Sequence, residues 1–250
     1  MPPSFVTNGS LPYVETSPKR VRVFFNDTCI ADSRAAKLVW EHGHYPQYYF
    51  PAAAISSMYL EQGKEAGLYD VVVGNERAEG AATKPASGPL EGLVKIAPGT
   101  QKGAFKWLEE EWELKGHPRD PYKRVDVLPS SRHVRVEVDG VEVANSHQPR
   151  LLFETHLITR YYIPRSDIRA DLLEESQLTT YCPYKGTASY FNVKLPSGKT
   201  VENIVWYYPK PYPECSDVEG CVAFYDEKVD VWVDGEKVPR PETPFRNVSA

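Results

Sequence analysis

The feature that most constrains the fold of this chain is an internal repeat. Residues 21–55, VRVFFNDTCIADSRAAKLVWEHGHYPQYYFPAAAI, align without a gap on residues 134–168, VRVEVDGVEVANSHQPRLLFETHLITRYYIPRSDI. A shorter echo pairs Glu91-Gly92 with Glu219-Gly220. Because a repeated sequence requires a repeated backbone, we predict two tandem domains. Their predicted bounds are 15–113 for a first, degenerate copy, 114–133 for a connector and 134–240 for the second copy.

Composition limits the classes of protein that the chain can belong to. Its 250 residues are 41% apolar and 25% charged, which is typical of a globular protein. The net charge of -5 argues against nucleic acid as a partner. The sequence has no long apolar run and no basic start followed by an apolar stretch, so we expect a cytoplasmic protein without a membrane partner. The oligomeric state stays open.

The pattern of apolar residues favours a mainly β fold with small antiparallel sheets and few short helices. In HVRVEVDGVEVANS the valines alternate with charged residues, and Asp139-Gly140 predicts a hairpin turn. Further strands are predicted at residues 150–154, 159–163, 188–195, 202–208 and 221–233. Helices are predicted at residues 167–175, with Ser166 as the N-cap, and at residues 104–114.

The second copy contains about fifteen extra residues between Ile168 and Glu219. This stretch includes TTYCPYKGTASYFNVKL, whereas the counterpart in the first copy, residues 75–88, is the small and polar NERAEGAATKPASG. Such a composition predicts a loop rather than a core strand. We therefore expect any chemistry to lie in the second copy.

Glu41 and Glu154 occupy aligned positions, each after an apolar run that predicts a buried strand. Burial of a carboxyl group would raise its pKa toward the range that suits a general acid or base. This makes Glu154 a candidate catalytic residue and Glu41 a candidate substrate contact. The alternative is that hydrogen bonds hold each glutamate in a purely structural role.

The segment from Tyr181 to Gly186 holds the other candidate catalytic residues. Lys185 could lower the pKa of the Cys182 thiol, or it could bind an anionic or carbonyl group of a substrate. Tyr161, Tyr184 and Trp206 could line a substrate pocket, although core packing also explains such rings. A buried, inert cysteine is the alternative for Cys182.

The sequence does not point to a metal or a cofactor. None of the four cysteines belongs to a C-x-x-C pair, and His42 and His44 lack the further ligands that a zinc site needs. Phosphate-binding loops, the nucleophile elbow of hydrolases and the zincin motif are missing as well. We therefore expect no metal and no cofactor.

Longer motifs identify a resemblance to a known family. The second copy contains R-x-V-R-V-x-x-D-G, L-L-x-E-T, Y-Y-x-P-x-x-D, T-x-Y-C-P-Y-K-G-x-A-x-Y and V-A-F-Y-D-E-x-V-D, and the connector contains H-P-R-D-P-Y-x-R-V-D. These resemble the two-copy members of the domain-of-unknown-function 427 family, which is sometimes catalogued as nucleotidyltransferase-like. The resemblance implies two β-tent-like domains without metal-binding cysteines. The sequence has no phosphate loop and no paired aspartates after a Gly-Ser motif, so we do not expect nucleotidyl transfer.

These observations favour a cofactor-independent enzyme of the isomerase, lyase or cyclase type that acts on a small organic molecule. Glu154 would transfer the proton, and Lys185 would hold a carbonyl or carboxylate group. The alternative is a non-catalytic small-molecule-binding or scaffold protein. A catalytic role requires Glu154 and Lys185 to share a cavity, whereas a scaffold would enclose Glu154 in a buried network.

Overall fold

The computed structural model describes residues 10–97 and 105–241, and within these ranges the chain is mainly β. Its internal contacts divide it between Tyr122 and Lys123 into unit 1 and unit 2. The residues of the predicted connector, 114–133, are therefore shared between the two units, and some of them form a strand of unit 2.

Unit 1 consists of two antiparallel sheets. The larger sheet has the strand order β1-β4-β5-β9-β8-β7-β6, and the smaller sheet has the order β3-β2-β10-β11. The strands are β1 (Tyr13–Thr16), β2 (Val21–Phe25), β3 (Thr28–Ser33), β4 (Lys37–Trp40), β5 (Gln47–Pro51), β6 (Leu60–Gln62), β7 (Leu68–Val73), β8 (Glu76–Thr83), β9 (Leu93–Ile96), β10 (Phe105–Glu109) and β11 (Trp112–Glu113). Short 3-10 helices span Ala52–Ala54 and Ser57–Tyr59.

Unit 2 repeats this arrangement strand for strand. Its larger sheet has the order β12-β15-β16-β20-β19-β18-β17, and its smaller sheet has the order β14-β13-β21-β22. The strands are β12 (Val125–Pro129), β13 (Val134–Val138), β14 (Val141–Ser146), β15 (Arg150–Glu154), β16 (Arg160–Pro164), β17 (Leu173–Cys182), β18 (Gly186–Lys194), β19 (Thr200–Tyr207), β20 (Cys221–Phe224), β21 (Asp230–Val233) and β22 (Glu236–Val238). The 3-10 helices span Arg165–Asp167, Ala170–Leu172 and Pro213–Val218. The predicted mainly β fold with two tandem copies is confirmed.

The alternating apolar pattern produces the same hairpin at the start of both copies. Strands β2 and β13 bury every second residue, and each continues into a two-residue turn. Asn26 and Asp27 have φ angles of 44° and 64°, while Asp139 and Gly140 have 49° and 79°. Positive φ at both central residues is the geometry of a type I′ turn, which Asn, Asp and Gly tolerate. The predicted turn at Asp139-Gly140 is thus confirmed.

Both predicted helices are wrong. Residues 167–175 form the end of one 3-10 turn, a second turn at Ala170–Leu172 and the start of β17, and Ser166 makes no cap. In the described part of residues 104–114, the chain forms β10 and β11 instead. Pairing of these segments with neighbouring strands overrides their local helical preference.

Two further predictions about the strands need correction. The loop predicted for residues 75–88 is wrong for most of its length, because residues 76–83 form β8 and bury Ala78, Ala81 and Ala82, and residues 84–88 are irregular. Alanine side chains can form a buried strand where neighbouring strands, here β7 and β9, pair with it closely. The predicted strand at residues 221–233 is divided into β20 and β21 by a turn in which Lys228 N donates to Tyr225 O at 2.7 Å.

The larger sheet of unit 2 buries residues on both of its faces. The inner face, which packs on the smaller sheet, contributes residues such as Ile163 and Val222 to a core shared with Val134 and Val136. The outer face carries a separate cluster that includes Tyr162, Trp206 and Cys215. Strand β12 and the 3-10 helix Pro213–Val218 pack together beside that cluster. A buried polar side chain of this sheet can therefore lie on either of two faces, and the sheet separates the two positions.

Candidate functional site

The glutamate shared by the two copies ends a buried strand of unit 2. Glu154 is the last residue of β15, and its side chain is only 4% exposed. Oε1 accepts a hydrogen bond from Lys123 Nζ at 2.8 Å, and Oε2 accepts one from Lys185 Nζ. Both carboxylate oxygens are therefore paired, and we call these three residues the lysine–glutamate cluster.

The expectation that burial raises the pKa of Glu154 is wrong. Burial acts in that direction, but the positive charges of Lys185 and Lys123 outweigh it and hold the pKa below its ordinary value. Burial also opposes the charge of Lys185, yet Cys182 and Glu154 raise the pKa of this lysine. At neutral pH Glu154 is a carboxylate with no proton to donate, and Lys185 is an ammonium group.

A tight turn between β17 and β18 carries Lys185 and its neighbours. Lys185 N donates to Cys182 O at 3.3 Å, and the Cys182 side chain lies close enough to interact electrostatically with Lys185. Gly186 has a φ of 104°, and a Cβ at this position would lie 3.2 Å from a backbone carbonyl oxygen. The ring of Tyr184 lies 4.9 Å from Lys123 Nζ. The structure thus brings Cys182, Tyr184 and Lys185 together around Glu154.

Unit 1 contains a simpler and more open version of this arrangement. Tyr49 OH donates to Glu41 Oε1 at 2.8 Å, and Lys95 Nζ pairs with Oε2. Burial raises the pKa of Glu41, but Lys95 and Tyr49 outweigh it, so the pKa is again lowered. The side chain is 34% exposed and has one lysine partner where Glu154 has two.

The predicted substrate-contacting rings of unit 2 do not share one pocket. Trp206 belongs to the outer face, where its Nε1 donates to Tyr162 OH at 3.1 Å. Tyr161 packs on the inner face, because neighbouring residues of a strand point to opposite sides. The sheet therefore separates Tyr161 from the lysine–glutamate cluster.

Tyr161 lines a cavity of about 160 Å³ on the inner face of unit 2. Neither Glu154 nor Lys185 contributes to its wall. The lining residues are Ile158, Thr159, Tyr161, Asp226, Val231, Val238, Pro239 and Pro241.

Asp226 is the residue of this cavity that sequence reasoning missed. It is 8% exposed, and burial raises its pKa to about 7. Arg160, whose guanidinium lies 3.6 Å from the carboxyl, lowers the pKa only in part, because Arg160 also makes a two-pronged pair with Glu227 at 2.8 and 2.5 Å. A signal was present, since Asp226 follows the apolar strand β20 in the way that Glu154 ends β15.

A larger cavity, of about 370 Å³, lies at the corresponding place in unit 1. Three lining residues of one cavity have a counterpart in the other. The repeat alignment identifies one such pair, and the strand pairing of β10 with β2 and of β21 with β13 identifies two more. The corresponding pairs are Tyr48 with Tyr161, Trp107 with Val231, and Leu114 with Val238. Each unit thus has a cavity between its larger and its smaller sheet.

The sequence profile of a family described as a domain of unknown function (DUF427) matches residues 13–96 and 126–235. The two ranges cover more than half of the chain, with one range in each unit. The chain belongs to the DUF427 family. No curated protein matches the sequence of this DUF427 chain.

The DUF427 ranges include most of the groups described above. Glu41, Glu154, Lys185 and Asp226 lie inside them, whereas Lys123 lies outside. Among the described residues of this DUF427 chain, no group of three or more His, Cys, Asp or Glu side chains could hold a metal ion. None of the helices in residues 10–97 and 105–241 has the length and apolar character that crossing a membrane requires.

Proposed function

We propose that this DUF427 chain is an enzyme that transfers a proton on a small organic molecule, with Asp226 as both acid and base. The observation that carries the proposal is a buried carboxyl group, with its pKa raised to about 7, on the wall of a cavity. Such a group is present in both protonation states at neutral pH, which suits general acid–base catalysis.

The cavity limits the kind of substrate. Its volume of about 160 Å³ is below the range of about 300–1,000 Å³ that is typical of pockets for drug-sized ligands. Among the described residues of its lining, Asp226 alone has a charged side chain, so an uncharged or cationic molecule fits better than an anion. Burial and the charge of Asp226 raise the pKa of Tyr161, which leaves its hydroxyl protonated and able to donate a hydrogen bond.

The reaction that we propose is the migration of a proton, as in an isomerase. The Asp226 carboxylate would remove a proton from a carbon atom next to a carbonyl group. The resulting carboxylic acid would return a proton to another atom of the same molecule, which restores the carboxylate. The proposal includes no cofactor, since a carboxyl group supplies the acid and the base by itself.

We assign the lysine–glutamate cluster a role in stability instead of proton transfer. A carboxylate with two lysine partners and a lowered pKa is a poor acid and a weak base. Its residues also lie on the other face of the sheet from the cavity. This favours the structural alternative for Glu154 and removes the reason for a catalytic Lys185.

Exchange of substrate hydrogen with deuterated water tests the proposal. The full chain would be incubated in D₂O with a panel of small ketones, aldehydes and hydroxy ketones, and deuterium at carbon would be measured by NMR. We expect exchange into at least one compound, with a rate that rises with pH through about pH 7 as Asp226 loses its proton. Asp226→Asn should lower the rate by about 100-fold or more.

Glu41→Gln is the matched control, because it changes a carboxylate of unit 1 and should leave the exchange rate unchanged. Exchange that survives Asp226→Asn would overturn the proposal, as would the absence of exchange across the panel. Compounds that bind to the unit 2 cavity without exchange would favour the alternative of a non-catalytic small-molecule-binding protein.

A further inference from the structure

The cavity of unit 1 lies at the same place in the fold as the cavity of unit 2, but its lining residues differ. It occupies the place that the proposed active site occupies in unit 2, and it has more than twice the volume. At offset 128, the residue aligned with Asp226 is Pro98, so the sequence of unit 1 has no carboxyl group at this position. A proton-transfer role therefore does not extend to unit 1.

Aromatic rings form the wall of this cavity. The rings of Tyr48 and Trp107 are nearly parallel, with an interplanar angle of 16° and centroids 6.4 Å apart, and Phe105 contributes a third ring. Tyr48 OH donates to Glu109 Oε1 at 3.0 Å, and Lys19 pairs with the other oxygen of Glu109. Since its hydroxyl is already bound, Tyr48 offers its ring to a ligand. A flat aromatic body suits such a wall.

The indole N–H of Trp107 is an unsatisfied hydrogen-bond donor among the described residues. Its side chain lines the cavity, and among the described residues its buried indole N–H has no hydrogen-bond partner. Unpaired buried donors are rare in proteins and often mark the place of a bound water or ligand. A carbonyl or carboxylate oxygen of a ligand would supply the missing acceptor.

One lysine at the rim of the cavity can pair with an anion. Lys115 belongs to the lining together with Glu113, and among the described residues Lys115 has no ion-pair partner. Lys106 also belongs to the lining, but it is exposed and lies between the buried Phe105 and Trp107, so its side chain points to the other face of β10. The cavity of unit 2 differs, since its charged lining residue is an aspartate.

We infer that the unit 1 cavity is a binding site for a small aromatic carboxylate. The ring would pack against Tyr48, Phe105 and Trp107. The carboxylate would accept a hydrogen bond from the indole N–H of Trp107 and interact with Lys115. The volume of about 370 Å³ lies within the range of small-molecule pockets, and it has room for one or two fused rings.

The test uses 2-naphthoate as the probe and the full chain labelled with 5-fluorotryptophan. Trp107→Phe identifies the ¹⁹F resonance of Trp107. We expect this resonance to shift saturably with 2-naphthoate, and the uncharged 2-naphthalenemethanol to bind about tenfold more weakly. Lys115→Met should weaken binding of 2-naphthoate by a similar factor, whereas Lys106→Met, on the other face of β10, should leave it nearly unchanged.

Matched substitutions fill the two cavities separately. Leu114→Phe should abolish the shift of the Trp107 resonance with 2-naphthoate. The dispersion of the other ¹⁹F resonances would show that this variant is still folded. Val238→Phe, at the corresponding position of unit 2, should leave the Trp107 shift unchanged. An unresponsive Trp107, loss of binding with Val238→Phe alone, or equal affinity for the uncharged analogue would overturn the inference. Asp226→Asn should not affect probe binding, so this result is independent of the proposed reaction in unit 2.

Discussion

Glu41 and Glu154 occupy the same place in two copies of one fold, yet their surroundings differ. Glu41 is about one-third exposed and has one lysine and one tyrosine as partners. Glu154 is almost fully buried between two lysines. The outer face of unit 2, which has its own apolar cluster, explains this burial.

The comparison shows which properties the repeated scaffold determines and which it leaves open. Strand order, the hairpin turn and the position of the cavity are common to both units. The charge and the volume of the cavity differ between the units, and the charge depends on side chains that the copies do not share, such as Asp226 in unit 2. A carboxylate at a shared position is therefore not by itself a sign of shared chemistry.

The largest expected difference between the units is in the stability effect of removing the shared carboxylate. Glu154→Gln leaves two lysines without their partner near the core, and breaking a buried pair in this way costs about 3–5 kcal/mol. Glu41→Gln should cost about 1 kcal/mol or less, because the pair is partly exposed. Urea unfolding of the 5-fluorotryptophan-labelled chain measures both, since each unit has tryptophans of its own.

Equal losses for the two variants would contradict this comparison. Adding Lys185→Met to Glu154→Gln should recover part of the stability, because it removes one of the uncompensated charges.

A second difference is in the pH dependence of stability. The pKa of Asp226 is raised from about 3.8 to about 7 in the folded chain, so the folded state binds the proton more tightly than the unfolded state does. Its contribution is fully present below about pH 4 and is lost as the pH rises through 7, which corresponds to roughly 4 kcal/mol. The free energy of unfolding of unit 2 would be measured between pH 4 and pH 8 in the wild type and in Asp226→Asn. We expect the wild type to become less stable relative to Asp226→Asn as the pH rises.

The unfolding of unit 1, followed in the same samples, should be equal in wild type and Asp226→Asn at each pH. A constant stability difference between the two proteins across this range would show that the pKa of Asp226 is not raised.

The smallest of the three effects concerns one turn glycine in each unit, at positions that do not correspond in the repeat. Gly186, between β17 and β18, has a φ of 104° and little space for a Cβ, whereas Gly74, between β7 and β8, has a φ of 59° and open space. Gly186→Ala should destabilise unit 2 by about 2–3 kcal/mol, and Gly74→Ala should destabilise unit 1 by about 1 kcal/mol. Thermal unfolding of both variants checks the order, and a larger effect of Gly74→Ala would reverse the comparison.

The sequence was sufficient to predict features that depend on local patterns. Alternating valines and Asp139-Gly140 define a hairpin through side-chain period and turn geometry alone, and the repeat then transfers it to the other copy. The run before Glu154 likewise predicted a strand with the bounds Arg150–Glu154.

Features that depend on distant neighbours were not predictable in this way. The pKa of Glu154 depends on Lys123 and Lys185, which are 31 residues away on either side in the sequence, and no local pattern shows that they meet. The raised pKa of Asp226 results from burial in a turn between sheets. The alanines of β8 belong to a strand only because neighbouring strands pair with them.

The smaller sheet of each unit has a consequence for synthesis on the ribosome. In unit 1 it pairs Val21–Phe25 with Phe105–Glu109, and in unit 2 it pairs Val134–Val138 with Asp230–Val233. At about 5–20 residues per second, the first hairpin of each unit is made roughly 4–20 s before its last partner strand. During that interval Val21 and Val23, or Val134 and Val136, lack the strand that covers them, so each nascent unit passes through a period in which a chaperone can bind an apolar hairpin.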